Sequence, residues 1–572
     1  MKRRNGAQIM WECVVREGVD VVFGYPGGAN LPIYDAMREF PIHHVLPRHE
    51  QGGAHMADGY ARVSGKVGVA MGTSGPGATN LVTGIATAQM DSIPMVFITG
   101  QVASRYIGYD AFQETDVTGI TLPITKHNYL VTRVEDIMPA MREAFYLARS
   151  GRPGPVLVDI AKDAQQAFID NWEYDDTPIK IRGYRPDMTP ASESILKALD
   201  LIHNSKRPLI LLGHGALMGN AGAEVIEFAE KANVPIALTL LGLGAIPASH
   251  ALNLGMMGMH GEAWVNTAIQ EADLLLAFGM RFDDRVTGNV KTYAPNAKKI
   301  HIEIDPSEIN KNIKVDVGLV GDLKDILRQL NPRLAQGDHS EWLNHIDEMK
   351  GDSAVLDIQN LPDNGHLYAA HVLHDLWRFT SHDTIVTTDV GQHQMWAAQY
   401  YRLEKPHKWV TSGGLGTMGF GLPSAIGAKF GSPESEVWTI VGDGGFQMTM
   451  SELCTAAQEG IKVNVAIINN GFLGMVRQWQ EFFYEKNYES TPMRSPDFVM
   501  IAEANGLKGI RVTQRSQVEA AIKEAQAYEG TVVIDFRVEQ EDSVFPMVPA
   551  GADLHAMIRR PSNVLVETAQ DD

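Results

Sequence analysis

Trp438-Thr439-Ile440-Val441-Gly442-Asp443-Gly444-Gly445, followed by Val463-Asn464-Val465-Ala466-Ile467-Ile468-Asn469-Asn470-Gly471, decides the fold. Trp438–Val441 and Val463–Ile468 are short apolar runs that stop abruptly on Gly, Asp or Asn, as buried strands do at their ends. Between them Ser451 to Gln458 reads as a helix, with Gly460 as its stop. Strand, helix and strand make one βαβ unit, so the two strands are parallel and can be neighbours. Asp443 and Asn470 then stand at adjacent carboxyl ends of strands, where open α/β sheets bind their ligands.

The same alternation extends outward in both directions. Val19–Phe23, Val67–Met71, Met95–Thr99 and Val156–Ile160 read as strands in the first third. Pro208–Leu212, Leu274–Phe278 and Lys299–Ile304 do so in the middle, and Thr384–Thr388 and Thr531–Phe536 in the last third. The expected class is α/β, in three doubly wound parallel-sheet domains. Two polar, proline-bearing stretches, 166–190 and 332–362, read as connections. They set the units at 1–170, 190–335 and 362–543, with a tail over 544–572.

A chain of 572 residues is too long for one hydrophobic core. Its formal net charge of -20 argues against nucleic acid or an anionic membrane as a main partner. An anionic substrate would need local positive charge. Two cysteines, Cys13 and Cys454, do not make a disulfide framework and point to a reducing compartment. No apolar run reaches the ~20 residues that span a bilayer. The basic start lacks a signal-peptide core, so a cytoplasmic location is expected, with an organelle only if a leader has been removed.

The glycines around Asp443 let backbone N–H groups approach an anion beside a helix amino terminus. Asp443 and Asn470 offer hard oxygen ligands for Mg²⁺ or Ca²⁺, in a site that uses few protein ligands and completes its octahedron with ligand phosphates. Gly-Asp-Gly alone is as well explained as a turn, and Asn-Asn-Gly as a loop. Together, with 24 residues between Gly444 and Asn469, they resemble the thiamine-diphosphate signature. That resemblance makes Asp443, Asn470 and the Phe472 carbonyl the metal ligands.

Arg48-His49-Glu50 reads as a strand end running into the helix Gln51–Arg62. Glu50 at a helix amino terminus could merely complement the dipole. Small residues after it leave room for a ring. With Ala57-Asp58-Gly59-Tyr60-Ala61-Arg62 and Gly72-Thr73-Ser74-Gly75-Pro76-Gly77-Ala78-Thr79-Asn80, it resembles the pyruvate-oxidase-like thiamine enzymes. There the glutamate shares a proton with the aminopyrimidine ring. By this resemblance 1–170 binds the pyrimidine and 362–543 the diphosphate.

Nearly the whole chain is similar to acetohydroxyacid (acetolactate) synthase catalytic subunits. The similarity runs through Gly24–Ala29, Asp110–Glu114, Thr125–Asn128, Gly151–Val156 and Gly258-Met259-His260-Gly261. Phe278-Gly279-Met280-Arg281-Phe282-Asp283-Asp284-Arg285 resembles the FAD-containing form. This implies FAD in 190–335, at Arg152, Gly213, Gly215, Thr239, His260, Arg281, Asp284, Arg285, Glu303 and Asp322, in a structural role. The family more often has Gly at His214 and Asp at Glu303. Thiamine contacts are implied at Val390, Gly391, Gln392, His393, Gly416, Met418, Gly442, Asp443, Gly444, Gly445, Asn470, Phe472, Leu473, Gly474 and Met475.

The implied reaction decarboxylates pyruvate and adds the hydroxyethyl unit to a second 2-oxo acid, pyruvate or 2-oxobutanoate. Arg285 is expected to hold the acceptor's carboxylate and Trp479 to favour 2-oxobutanoate. Gln113, Gly28 and Met259 are expected around the reacting groups, and Lys162 at the channel entrance. Ala103 replaces the family's Pro, which implies reduced sensitivity to sulfonylurea-type inhibitors. The resemblance also implies a homodimer or homotetramer with sites between subunits, and a separate regulatory subunit. Pyruvate oxidase, glyoxylate carboligase and a non-catalytic paralogue are the rivals. Glu50 argues against the carboligase, Trp479 with Arg285 against the oxidase, and the retained Glu50, Asp443 and Asn470 against the paralogue.

Overall fold

The computed structural model describes residues 2–350, 358, 361 and 364–561. The chain opens with β1 (Lys2–Asn5). The first six-stranded sheet uses β2 (Val21–Gly24), β3 (His43–Val45), β4 (Gly68–Gly72), β5 (Met95–Gln101), β6 (His127–Val131) and β7 (Pro155–Ala161). β8 (Phe168–Trp172) pairs antiparallel with β1, so the stretch expected to be a plain connection holds a strand. The middle sheet has β9 (Pro208–Leu212), β10 (Ile236–Leu238), β11 (Asn253–Met256), β12 (Leu274–Phe278), β13 (Lys298–Glu303) and β14 (Val317–Val320). The last has β15 (Ile385–Thr388), β16 (Trp409–Val410), β17 (Val437–Gly442), β18 (Asn464–Asn469), β19 (Lys508–Val512) and β20 (Val532–Arg537).

The outer sheets share one strand order, β3-β2-β4-β5-β7-β6 and β16-β15-β17-β18-β20-β19. The middle one runs β11-β10-β9-β12-β13-β14. All pairings within these sheets are parallel, and helices cover both faces, which is the doubly wound α/β class expected. β17 and β18 are parallel neighbours with Gly442 opposite Ile468, as the βαβ reading requires. Ala, Val, Ile and Leu fill the strands without alternation because both faces are buried. The second expected connection lies partly outside the described residues, and its described part carries a helix at Ser340–Met349. Among the described residues, no helix is long and apolar enough to cross a membrane.

The helix expected at Ser451–Gln458 begins earlier and is broken. A helix runs over Asp443–Thr449, a 3₁₀ turn over Met450–Glu452, and a second helix over Leu453–Glu459. Gly460 closes the second at φ 62°. Asp443 is therefore the first residue of a helix and not part of a loop.

The outer domains meet through two helices, Glu50–Ser64 and Gly421–Gly431. Glycine on each side lets the backbones touch. A Cβ at Gly427 would overlap the Met56 carbonyl, and one at Gly59 would overlap that of Ser424. Gly427→Ala is expected to force the helices apart and to cost about 3 kcal/mol, the upper end for over-packing. Gly431→Ala, whose Cβ would lie 3.1 Å from the Tyr60 carbonyl, should cost much less. Equal chemical-denaturation midpoints for the two variants would overturn this reading of the crossing.

Candidate active site

β15 and β17 are where the last sheet reverses its strand order, and a cleft of about 440 Å³ opens at their carboxyl ends. Val390, Gly391, Gln392, His393, Met418, Gly442, Asp443, Gly444, Gly445, Asn470, Phe472, Leu473, Gly474 and Met475 all line it. Gly416, on an exposed turn at φ 68°, does not. Trp396, Ile468 and Val476 line it too, though nothing in their residue type singles them out. The amino termini of three helices meet here, at Gln392, Asp443 and Gly474. Their unpaired N–H groups and aligned dipoles suit an anion.

The glycines are demanded by this crowding. A Cβ at Gly442 would lie 2.8 Å from His393 Nδ1, at Gly444 2.9 Å from Leu473, and at Gly445 2.5 Å from Asp389 Oδ1. His393 is buried, and burial pushes its imidazole down to about 3, so it is neutral. Its Nε2 has no hydrogen-bond partner among the described residues. A buried orphan nitrogen on the wall of such a cleft fits a ligand oxygen. Asp443 is also buried and accepts a hydrogen bond from Ser495 Oγ at 2.9 Å. Burial lifts its carboxyl to about 6 against that bond, and a cation beside it would keep it ionised. Asn470 Oδ1 accepts from Phe472 N at 3.1 Å, which fixes the turn after β18. The donor set of one carboxylate, one amide and one carbonyl suits Mg²⁺ with a phosphate ligand.

Two supporting groups were not anticipated. Asp389, at the end of β15, accepts hydrogen bonds from Val390 N, Gly419 N and Gly421 N. Its carboxylate thus shapes the turn that carries Met418. Gln478 is the second, in a buried amide chain that starts at Gln392. Asn470 Nδ2 donates to Gln392 Oε1 at 3.1 Å, and Gln392 Nε2 donates to Gln478 Oε1 at 2.9 Å. Gln478 exchanges two bonds with Val544, tying the cleft to the tail. A strand ending on Asp was a signal for Asp389; Gln478 carried none.

Glu50 stands in the first domain. It is the first residue of its helix, nearly buried, and accepts a hydrogen bond from Asn80 Nδ2 at 2.8 Å. Gly52 and Gly53 do not clear space for a ring as expected. A Cβ at Gly52 would overlap the Glu452 carboxylate, and one at Gly53 would press on Pro47. Gly77, on the other side, would bring a Cβ 3.3 Å from Glu50 Oε1. Gln113, at φ 60°, rests on Gly75 two residues before Gly77. Gly28 is exposed, with open space where a side chain would go, beside the Gly27–Thr73 contact. Lys162 is half-buried at the carboxyl end of β7, and Asp163 next to it holds Ser104 N at 2.9 Å. Ala103, at φ −58°, has the backbone angle that a proline ring imposes. These residues share the carboxyl edge of the first sheet, and none of them lines the cleft at Asp443.

In the middle domain, Gly213, Gly215, Thr239, His260, Arg281, Asp284 and Asp322 follow the carboxyl ends of strands, and Glu303 is the last residue of β13. Gly213 and Gly215 pack on Gly279, where β9 and β12 part. Burial lifts the Glu303 carboxyl to about 7, against bonds from Asp305 N and Ile304 N. His260 lies deeper, neutral beneath Pro546 and Gln399. Arg152 is engaged by Asp305 and Glu308, at 3.2 and 2.9 Å, bridging the first and middle domains. Arg285 is exposed beside Asp284 and lines a second, narrow cleft with Met259, Gly288 and Val548. Trp479 stacks edge-on against Phe483 and lines neither cleft. The tail joins these regions: Phe545 meets Phe482, and Val548 N donates to the Met259 carbonyl at 2.8 Å.

Comparison with known proteins agrees with this geometry. Residues 4–120 match the thiamine pyrophosphate enzyme N-terminal TPP binding domain. Residues 195–330 match the central domain of those enzymes, and 389–536 the C-terminal TPP binding domain. The acetolactate synthase large subunit of Corynebacterium glutamicum is 49% identical, covering 96% of this chain and 89% of its own. The probable acetolactate synthase large subunit of Methanococcus aeolicus is 45% identical, over 97% and 95%. That of Haemophilus influenzae is 44% identical, over 98% of each chain. With three thiamine-enzyme domains in order and such relatives over nearly its full length, the chain belongs to the acetolactate synthase large-subunit family of thiamine-diphosphate enzymes.

Proposed function

We propose that the protein condenses pyruvate with a second 2-oxo acid. The products are 2-acetolactate from pyruvate and 2-aceto-2-hydroxybutanoate from 2-oxobutanoate, the first common step of branched-chain amino-acid biosynthesis. The observation that carries this reading is the cleft where three helix amino termini, the His393 orphan nitrogen and Asp443 converge. Thiamine diphosphate, when bound, supplies a thiazolium that takes up the electron pair released as the first 2-oxo acid loses CO₂.

Within that cleft Gln392, His393 and the N–H groups around Gly442, Gly444, Gly445 and Gly474 bind the diphosphate. Asp443, Asn470 and the Phe472 carbonyl hold Mg²⁺. Met418, next to the turn that Asp389 holds through Gly419 N, would support the cofactor. Glu50 holds a proton at the aminopyrimidine nitrogen, and Gln113 and Gly28 orient the reacting groups. Arg285 pairs with the acceptor's carboxylate beside Met259, Trp479 favours 2-oxobutanoate as the acceptor, and Lys162 stands at the entrance. FAD fits the middle domain, whose strand order is the one that binds dinucleotides across the β9–β12 crevice. There it keeps a structural role.

Glu50 does not line the Asp443 cleft, and by the family resemblance each active site takes its pyrimidine half from a second copy. A homodimer is then the smallest active unit, with a tetramer and a regulatory subunit as further assembly. The test supplies thiamine diphosphate, Mg²⁺ and FAD, and follows product and oxygen together. Acetolactate from pyruvate alone, and the mixed product when 2-oxobutanoate competes, are expected. Oxygen consumption without acetolactate would favour the oxidase reading instead.

A further inference from the structure

Glu452 is a buried acid outside the candidate site. It closes the 3₁₀ turn Met450–Glu452, between the helix that begins at Asp443 and the one that ends at Glu459. Its side chain is fully buried, yet no cation is paired with it within ion-pair distance among the described residues. Instead the carboxylate accepts N–H groups from the other outer domain. Arg48 N donates to Oε1 and Oε2 at 3.1 and 3.0 Å, and His49 N donates to Oε1 at 3.1 Å. Thr455 Oγ1 completes the set at 2.7 Å. Burial raises the carboxyl's pKa, while these neutral donors oppose the rise.

Arg48 and His49 immediately precede Glu50, and His49 is the cap of its helix. Their N–H groups would otherwise be orphans buried between domains, at a cost of roughly 1–3 kcal/mol each. The helix start is also cut to receive this acid, since any side chain at Gly52 would overlap it. Around it the contact is continuous. Arg48 reaches Gln458 Oε1 at 2.8 Å and the Cys454 carbonyl at 3.3 Å, and His43 pairs with Glu459 at 2.9 Å. The peptide bonds that aim the Glu50 side chain are thus held from outside their own domain.

We propose that Glu452 is a positioning residue for Glu50, setting the direction in which that carboxyl meets the aminopyrimidine ring. The inference rests on the thiamine role assigned to Glu50 above. A misdirected Glu50 slows proton exchange at the cofactor without weakening the diphosphate site, which lies on another sheet edge.

The experiment makes three kinds of measurement on the holoenzyme. They are kcat and KM for pyruvate, retention of thiamine diphosphate and FAD, and the exchange rate of the bound cofactor's C2 hydrogen in deuterated buffer. Glu452→Ala is expected to lower exchange and kcat together by about a hundredfold, with KM within about twofold. Glu452→Gln keeps an acceptor oxygen for both N–H groups and should restore most of the loss. A folded, cofactor-loaded Glu452→Ala protein with parental exchange would overturn the proposal, leaving only a domain anchor. If that variant does not fold, Glu452→Asp, one methylene shorter, decides: slowed exchange supports the proposal and parental exchange defeats it. Glu50→Gln run alongside separates the two readings, because unchanged exchange there refutes the role of Glu50 itself.

Discussion

Replacing Glu50 with glutamine is expected to lower kcat at least about a hundredfold, the usual loss when a positioned proton-transfer group is removed. The substitution is nearly isosteric. Its amide oxygen can still accept the 2.8 Å hydrogen bond from Asn80, and the helix cap at His49 is untouched. Packing and stability should therefore change little. FAD content should also be unchanged, since the middle-domain crevice lies on a separate sheet. Thiamine diphosphate should still bind, because Asp443, Asn470 and His393 belong to the last domain. Steady-state kinetics, flavin absorbance and thiamine content measure the three effects independently. Turnover like that of the parent protein would remove Glu50 from the chemistry.

The second large effect is on stability. Asp91 sits where all three domains meet. Its carboxylate accepts Arg62 Nη2 at 2.8 Å, Gly413 N at 3.1 Å and Gly414 N at 2.6 Å. Its carbonyl is 3.0 Å from Nδ1 of His214 in the middle domain. Arg62 is buried with it, bonded to Asp58 at 2.6 Å and to the Thr411 carbonyl at 3.0 Å, and packed over the Phe420 ring. Asp91→Ala leaves a buried guanidinium half compensated and two glycine N–H groups without an acceptor. Breaking such a buried cluster costs about 3–5 kcal/mol. A fall of at least roughly 5 °C in the thermal midpoint is expected. Weaker thiamine diphosphate binding should accompany it, because the Gly413–Gly416 turn leads to Met418. Asp91→Asn, which keeps an acceptor, should lie between. A thermal midpoint unchanged in Asp91→Ala would show that the junction is held by other contacts.

His214 gains a reason here. The sequence comparison marks it only as a departure from glycine, whereas the structure gives it a hydrogen-bond partner in another domain. Glu452 has the same character. On its own segment it is one glutamate among helix residues, and its partners stand 403 and 404 positions earlier. No local pattern distinguishes a buried acid from a solvated one at such a distance. The helix start at Asp443 was hidden for a related reason. Gly444 and Gly445 have poor helix propensity, so the eye places a loop there. Glycine is needed because Leu473 and Asp389 occupy the space that its side chains would take. Tertiary crowding overrides propensity at that turn.

Local features of the chain were enough for the inner strands of the three sheets other than β10, their parallel direction and the ends at which ligands bind, but not for the edge strands or the β1–β8 pair. Apolar runs that stop on Gly, Asp or Asn are read within a few residues, and the glycine-framed Asp443 and Asn470 fall on neighbouring strands by spacing alone. Those features also carried the family resemblance. Only the tertiary structure decided what each site residue packs against. It put Glu50 and the Asp443 cleft on different edges, gave Glu452 and Asp91 their buried partners, and drew the tail across Met259 and Gln478. The physical reason is range. Strand and turn preferences act between neighbours, whereas desolvated carboxylates and close glycine contacts depend on groups brought together only when the domains pack.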